Sequence, residues 1–408
     1  MNPERRQFLQ GVAAASVVGA LGIGSASAQT ATDAPTPTDA VADTDITQPE
    51  TKETTAPQAT EAAIRHHMIR PAALREGSKV ALVAPASGVS EWDIRDGIRT
   101  LESLGLEVVL GSTINNVKEF LSISNEERAA DFMQFVERSD IDGIVCARGG
   151  YGVMRMLPYL DYDLIRRHPK VVVGYSDITA LVNAIVARSG VMAFHGPVAY
   201  STFDDYTTKY FRKTLFEDAA VGEIGDSGEF NTHRFSRRKM LTLHPGAATG
   251  YLCGGNLTLV VSTLGTPYEI DTRDGVLFLE DVSEEPYKLD RMLTQLWLAG
   301  KLQQCRALAF GRFEKCDRSA NPYFPHSLEE VLRDWTERVG VPAVYGLPVG
   351  HIKRKITVPV GARAELDADK LTLNILDPAV SIAPVRSSIR VDVEPVEHLL
   401  RDDAFGTR

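Results

Sequence analysis

Cysteine is scarce in this chain of 408 residues, basic residues are outnumbered, and long apolar runs are missing beyond its first few dozen positions. The four cysteines, Cys146, Cys253, Cys305 and Cys316, are too few and too scattered for a disulfide framework or a CxxC metal site. Lys and Arg total 44 against 54 Asp and Glu, a formal net charge of -10. A surface of that sign has little with which to displace counterions from phosphate, which argues against nucleic acid as a partner. No internal stretch reaches the roughly 18 continuous apolar residues that a membrane span needs. There is no HExxH, no paired Cys/His and no clustered acid motif to suggest a metal, and no G-x-G-x-x-G or P-loop to suggest a nucleotide, so no cofactor is expected. What remains is ordinary: 44% hydrophobic and 24% charged residues exclude a collagen-like or wholly disordered chain and fit a globular protein of about two domains.

The first 28 residues read as an address. Arg5-Arg6 precede Phe8-Leu9 and an Ala/Gly/Val run, which closes on Ala26-Ser27-Ala28, the small-residue pattern of a signal-peptidase site. The pair of arginines looks like a twin-arginine export signal, and the expected location is the periplasm. The run is short and Gly-rich for a membrane span, so an uncleaved anchor is the alternative and no span is expected once the signal is removed. This route carries folded proteins, so the thiols are read as buried small hydrophobes, with a Cys305–Cys316 bridge as the alternative. Residues 29–62 are Thr, Ala, Pro, Asp and Glu, with seven acids and the single base Lys52, a net charge of -6. Such a segment cannot bury enough apolar area to offset its ordering entropy, and it is expected to be a disordered tether reaching residue 68.

The body starts near Ile69. Lys79–Pro85, Leu106–Leu110, Ile141–Cys146 and Lys170–Val173 are apolar runs of strand length, separated by helical patterns at about 91–104 and 126–138. Strands alternating with helices predict a doubly wound parallel sheet over 69–201. Ligands of such sheets bind beyond the C-terminal ends of the strands, here Pro85–Gly88, Arg148–Gly152 and Gly174–Ser176. Residues 202–244 read as a polar connection. Residues 245–395 read as a second, mixed α/β domain, in which Val358–Asp367 and Leu371–Leu376 alternate like an antiparallel pair.

Three places could carry chemistry. In Val171–Thr179 an apolar strand runs through Gly174 to Ser176 and then into a helix. This elbow would hold a hydroxyl over helix N–H groups able to stabilise an oxyanion. The pattern is not G-x-S-x-G, and Ser176 could equally be a helix cap. A serine nucleophile needs a base and an orienting acid. Of nine histidines, His195, His244 and His351 lie in Gly/Pro-bounded turns. Glu280 and Asp281 end a buried strand, where an acid must be paired or useful, with a salt bridge to Arg291 as the plain alternative. Arg148–Gly152 could be an anion-binding nest or simply a tight turn.

Taken in order, Arg148-Gly-Gly-Tyr-Gly152, Gly174-Tyr-Ser-Asp-Ile-Thr179, His195-Gly-Pro197, Gly254-Gly-Asn256, Leu279-Glu-Asp-Val282, Pro286-Tyr287, Asp290-Arg-Met-Leu293 and Gly350-His351 resemble the LD-carboxypeptidase family. These are serine peptidases that trim murein peptides, and they include the microcin-immunity peptidases. The resemblance covers residues 70–390 and selects the nucleophile reading for Ser176. It implies two α/β domains with the site between them and a triad of Ser176, Glu280 and His351. It further implies oxyanion donors at the backbone N–H groups of Asp177 and Gly150. Arg148, Tyr151, His195 and Asn256, within the matched motifs, become candidate substrate-binding residues. It implies no metal and often a homodimer. The expected substrate is a murein tetrapeptide. The alternatives are a peptide–nucleotide amide and a non-catalytic periplasmic binding protein. Known members that recycle murein are cytoplasmic, so the export signal points instead to intact murein.

Overall fold

The computed structural model describes residues 68–382, apart from 117–122, 225–234, 236–238 and 318–322. The export signal and the acidic tether lie outside the described residues.

The chain opens with Lys79–Val83 (β1), Glu91–Ser103 (α1) and Glu107–Leu110 (β2), then Asn125–Glu137 (α2), Gly143–Cys146 (β3), Val153–Met156 (α3), Tyr162–Arg167 (α4), Val171–Gly174 (β4), Thr179–Ser189 (α5) and Ala193–His195 (β5). Both longer early helices start on capping boxes. The Ser90 hydroxyl accepts from the Asp93 N–H while the Asp93 carboxylate accepts from the Ser90 N–H, and Ser124 and Glu127 do the same for α2. β1, β3 and β4 are continuous apolar runs because helices cover both faces of the sheet.

Asp205–Leu215 (α6), Ala220–Glu223 (β6) and Leu241–His244 (β7) follow, then Ala247–Asn256 (β8), Leu257–Ser262 (α7), Gly275–Val282 (β9), Pro286–Leu298 (α8), Ala307–Glu314 (β10), Leu328–Val339 (α9), Ala343–Gly350 (β11), Val358–Val360 (β12), Arg363–Asp367 (β13) and Thr372–Pro378 (β14).

Two sheets result, with strand orders β12-β5-β4-β3-β1-β2 and β6-β14-β13-β8-β9-β10-β11-β7. In the first, β2 through β5 are parallel, the doubly wound pattern expected from the alternation of elements. In the second, β8 to β11 are parallel, and antiparallel strands flank them on both sides. One buried apolar layer includes Ile144, Leu181 and Val358 from the first region and Val276, Ala309 and Val344 from the second.

Two differences from the sequence reading have physical causes. Residues 202–244 are not only polar loop. In α6 the buried Tyr210, Phe211, Thr214 and Leu215 form an apolar face that lysines and threonines obscure, and β6 and β7 are edge strands of the second sheet. The stretch 358–367 is not one strand. Gly361, at φ 99°, breaks it, so that Arg363–Asp367 pairs with β14 as expected while Val358–Val360 joins β5 in the first sheet. All four cysteines are buried and none is in a disulfide. Among the described residues no helix is long and apolar enough to cross a membrane.

Close helix packing positions the loop after β5. A Cβ added at Gly97 of α1 would lie 1.9 Å from the Ala199 carbonyl oxygen. The backbone of that loop cannot retreat cheaply, so Gly97→Ala should lower the unfolding free energy by about 1–3 kcal/mol, measured as a reduced urea midpoint.

Candidate active site

Ser176 sits where the chain leaves β4. Its φ is 64°, the left-handed region that a residue with a Cβ enters at a cost of roughly 1–2 kcal/mol. A short 3-10 turn, Ser176–Ile178, then leads into α5, and neither that turn nor α5 receives a side-chain cap. The hydroxyl is therefore not serving as a helix cap, the alternative that the sequence had left open. Gly149 packs so closely on the elbow that a Cβ there would lie 2.8 Å from Ser176 Cβ and 3.1 Å from its Oγ.

The loop containing Gly149 is tied down from several sides. The Tyr151 N–H donates to Ser87 Oγ (3.2 Å) and the Val153 N–H to Asp177 Oδ2 (2.8 Å). Burial raises the Asp177 pKa, against the pull of the Val153 N–H and of Arg128. Arg128 is fully buried. Its Nη1 donates to the carbonyls of Pro85 and Gly152, and its Nη2 to Asn125 Oδ1. One guanidinium thus joins the loops beyond β1 and β3. The sequence reading missed Arg128, although it stands four and seven residues before the core residues Phe132 and Phe135, on the apolar face of α2.

The second sheet supplies a carboxylate–imidazole pair. Glu280, near the end of β9, is 0% exposed, and its Oε2 lies 2.8 Å from His351 Nδ1. His351 follows β11, and its side chain is 18% exposed. Gly350 allows the approach: its φ is 123°, and a Cβ there would meet both the Arg312 carbonyl oxygen and Glu280 Oε2 at 2.9 Å. Burial pushes the Glu280 pKa up, but His351 outweighs it, aided by His195 and Asn256, and the carboxyl ends below its ordinary value. His244 lies on edge strand β7 opposite Ala343, at the other end of β11 from His351.

Asp281 faces a different environment. It accepts from Asn256 Nδ2 (3.1 Å), from the Thr258 N–H (3.0 Å) and hydroxyl (2.9 Å), and from the Val282 N–H (2.8 Å). Burial, then the Glu280 charge, push its pKa up to about 6. The Arg291 salt bridge does not form; that guanidinium lies over the Tyr287 ring at 5.7 Å. Asn256 caps α7 through the Leu259 N–H, and its own N–H donates to Thr179 Oγ1 at the start of α5.

Tyr175, next to Ser176, connects the two halves. Its ring centroid is 5.0 Å from that of His351 and 6.2 Å from that of His195, and Lys355 Nζ lies 3.3 Å from its hydroxyl. No hydrogen bond joins Ser176 to His351 directly. His195 is only 2% exposed, and burial pushes its pKa down to about 4 despite the opposing Glu280 charge. Arg148 is half-buried and lies over the Tyr200 ring at 5.4 Å, while Tyr151 is 56% exposed. The arrangement offers a half-buried serine on a strained turn, an imidazole held by a buried carboxylate, and a half-buried cation on a neighbouring loop. Among the described residues no group of three or more His, Cys, Asp or Glu side chains could hold a metal ion.

The sequence matches the family model of the LD-carboxypeptidase N-terminal domain over residues 80–196 and that of the LD-carboxypeptidase C-terminal domain over residues 249–366. It is 39% identical to a probable murein peptide carboxypeptidase of Bacillus subtilis over 312 residues, covering 74% of this chain and 93% of that protein. It is 27% identical to a microcin self-immunity protein of Escherichia coli, over 78% of this chain and 98% of that one. The crystal structure of a muramoyltetrapeptide carboxypeptidase from Oxalobacter formigenes superposes with a TM-score of 0.64 at 30% identity, over 74% of this chain and 99% of that one.

Two measurements test this geometry. Ser176→Gly relieves the left-handed backbone and Ser176→Ala does not, so the glycine variant should be the more stable by about 1 kcal/mol in urea unfolding. His195 takes up its proton near 6.5 when unfolded and near 4 when folded. Its contribution to stability is therefore complete above about pH 6.5 and is lost as the pH falls toward 4. Asp281, raised to about 6, works in the opposite direction, because its burial penalty is relieved on protonation. Comparing His195→Phe with the parent chain isolates the first effect: the variant should lose less stability between pH 7 and pH 4.5 in urea unfolding.

Proposed function

We propose a function from the premise that this chain belongs to the LD-carboxypeptidase family. It is a serine carboxypeptidase that cleaves the amide between the L-centre of the diamino acid and the terminal D-alanine of a murein tetrapeptide. The observation that carries this reading is the 2.8 Å Glu280–His351 pair, whose imidazole packs against the residue preceding a serine at φ 64°.

His351, oriented by Glu280 through Nδ1, presents its other ring nitrogen as the base. It takes the Ser176 proton as Oγ attacks the amide carbonyl. Glu280 stays ionised and stabilises the imidazolium. The developing oxyanion is met by the N–H groups of Asp177, at the start of the helix, and of Gly150. The imidazolium then protonates the leaving amine, D-alanine departs, and water hydrolyses the acyl-enzyme along the same path. A carboxypeptidase must hold a free terminal carboxylate. Arg148, a half-buried cation one residue from the glycine that touches Ser176, supplies that charge, with Tyr151 at the rim. The export signal read from residues 1–28 assigns the enzyme to the periplasm, where murein itself is the substrate.

A second reading, cleavage of a peptide–nucleotide amide, is favoured by the likeness to the Escherichia coli self-immunity protein. It uses the same three side chains and differs only in the leaving group.

Purified protein incubated with murein tetrapeptide should release tripeptide and free D-alanine. Ser176→Ala should lower kcat by about 10^3-fold or more and Glu280→Gln by about 10^2–10^4-fold, with KM little changed. Full activity in Ser176→Ala would refute the assignment of the nucleophile. Cleavage of a peptide–nucleotide amide but not of tetrapeptide would select the second reading.

A further inference from the structure

His195 and Glu280 together hold three buried polar atoms without partners. Neither ring nitrogen of His195 makes a hydrogen bond, and neither does Glu280 Oε1, while Glu280 Oε2 is taken by His351. Leaving a buried polar group unpaired costs about 1–3 kcal/mol, so such groups in one cluster call for a common explanation.

The cluster is compact. Phe278 and Glu280 stand two apart on β9 and so share a face of the strand. The His195 ring packs edge-on against Phe278, with centroids 5.3 Å apart. From the next strand, Gly255 pairs with Leu279 and Asn256 with Glu280. Gly255 has φ 134°, and it lets the strand close on the ring: a Cβ there would lie 2.6 Å from Thr179 Cγ2, 2.9 Å from its Oγ1 and 3.1 Å from His195 Nδ1. A water bridging the His195 ring and Glu280 Oε1 would take these unpaired atoms as the polar partners that a buried water requires.

We propose that His195 is a positioning residue for the acid of the triad: its neutral imidazole donates, through one buried water, to Oε1 of Glu280. Glu280 is then held at both oxygens, by His351 on one and by the relay on the other. This rests on the serine-triad reading given above. The groups facing the acid are His351 from the end of β11, His195 from β5, Asn256 from β8 and Asp281 beside it on β9. Lys355 and Tyr175 face His195. The low pKa of His195 keeps it neutral, so it offers one N–H and no charge at working pH.

The resting acid–base pair of Glu280 and His351 carries one negative charge and becomes neutral overall on taking a proton. An N–H donor at Oε1 favours the charged form and lowers the apparent pKa of the pair. Removing the donor must raise it. In the full chain, His195→Phe should move the acid limb of the kcat/KM profile for tetrapeptide up by about one pH unit, with KM at alkaline pH unchanged. His195→Gln, which keeps an amide N–H, should restore most of the shift. The His351 imidazole titration, followed by NMR without any substrate, should move in the same direction and by the same amount. An unmoved His351 titration in a folded His195→Phe protein would overturn the proposal, and so would equal shifts in the Phe and Gln variants. If His195→Phe does not fold, His195→Leu takes its place under the same criteria. If the parent chain leaves tetrapeptide uncut, the proposed function falls, while the imidazole titration still decides the role of His195.

Discussion

A carboxylate with no exposure to water governs this structure. Glu280 can remain ionised inside the protein only because His351 reaches it at 2.8 Å, and that contact constrains much of what surrounds it. It requires two parallel neighbours, β9 and β10, whose ends deliver acid and backbone to the same point. It also requires a glycine at 350, since any Cβ there would strike both the carboxylate and the Arg312 carbonyl. The adjacent Asp281 illustrates the alternative. It is equally buried but spends its oxygens on Asn256, Thr258 and Val282, and so serves the start of a helix. Two neighbouring acids on one strand acquire separate tasks because alternate residues of a strand face opposite ways.

The Ser176 side is built on a different constraint, close backbone approach. Ser176 occupies a left-handed conformation, Gly149 and Gly174 have no room for side chains, and Arg128 secures the loops from beneath. Strain of this kind persists only where surrounding contacts over-determine it. Here those contacts are the buried Arg128 and Asp177, each of which bonds to backbone from a neighbouring loop. The serine owes its conformation to buried side chains that bond to the surrounding loops.

Much of this could be read from the residues. The parallel sheet followed from apolar runs alternating with helical periods, and the pairing of β13 with β14 from period-two alternation. Glu280 and His351 were found by position, an acid ending a buried strand and an imidazole in a glycine turn, and the family resemblance joined them. What escaped detection had mixed chemistry. The α6 helix hides five buried residues, two of them threonines, among charged and polar neighbours. Arg128 looked like one more surface charge on an acidic helix. His195 stood in a turn and resembled a contact residue, yet the β5–β12 pairing buries it beneath Tyr175. Local sequence cannot reveal that last burial, because the covering strand lies more than 160 residues further along the chain.

That late strand bears on synthesis. The first sheet is edged by Val358–Val360, so when β5 has left the ribosome its outer backbone groups have no strand to pair with. Translation at 5–20 residues per second leaves this margin open for about 10–30 s before the closing segment emerges. An unpaired strand margin is a template for aggregation, and this one is kept to Ala193–His195, a span too short to recruit another chain efficiently. The half that carries Ser176 is therefore a nascent intermediate rather than a separable module, and a ribosome-bound fragment ending before residue 358 would carry that serine on an unfinished sheet.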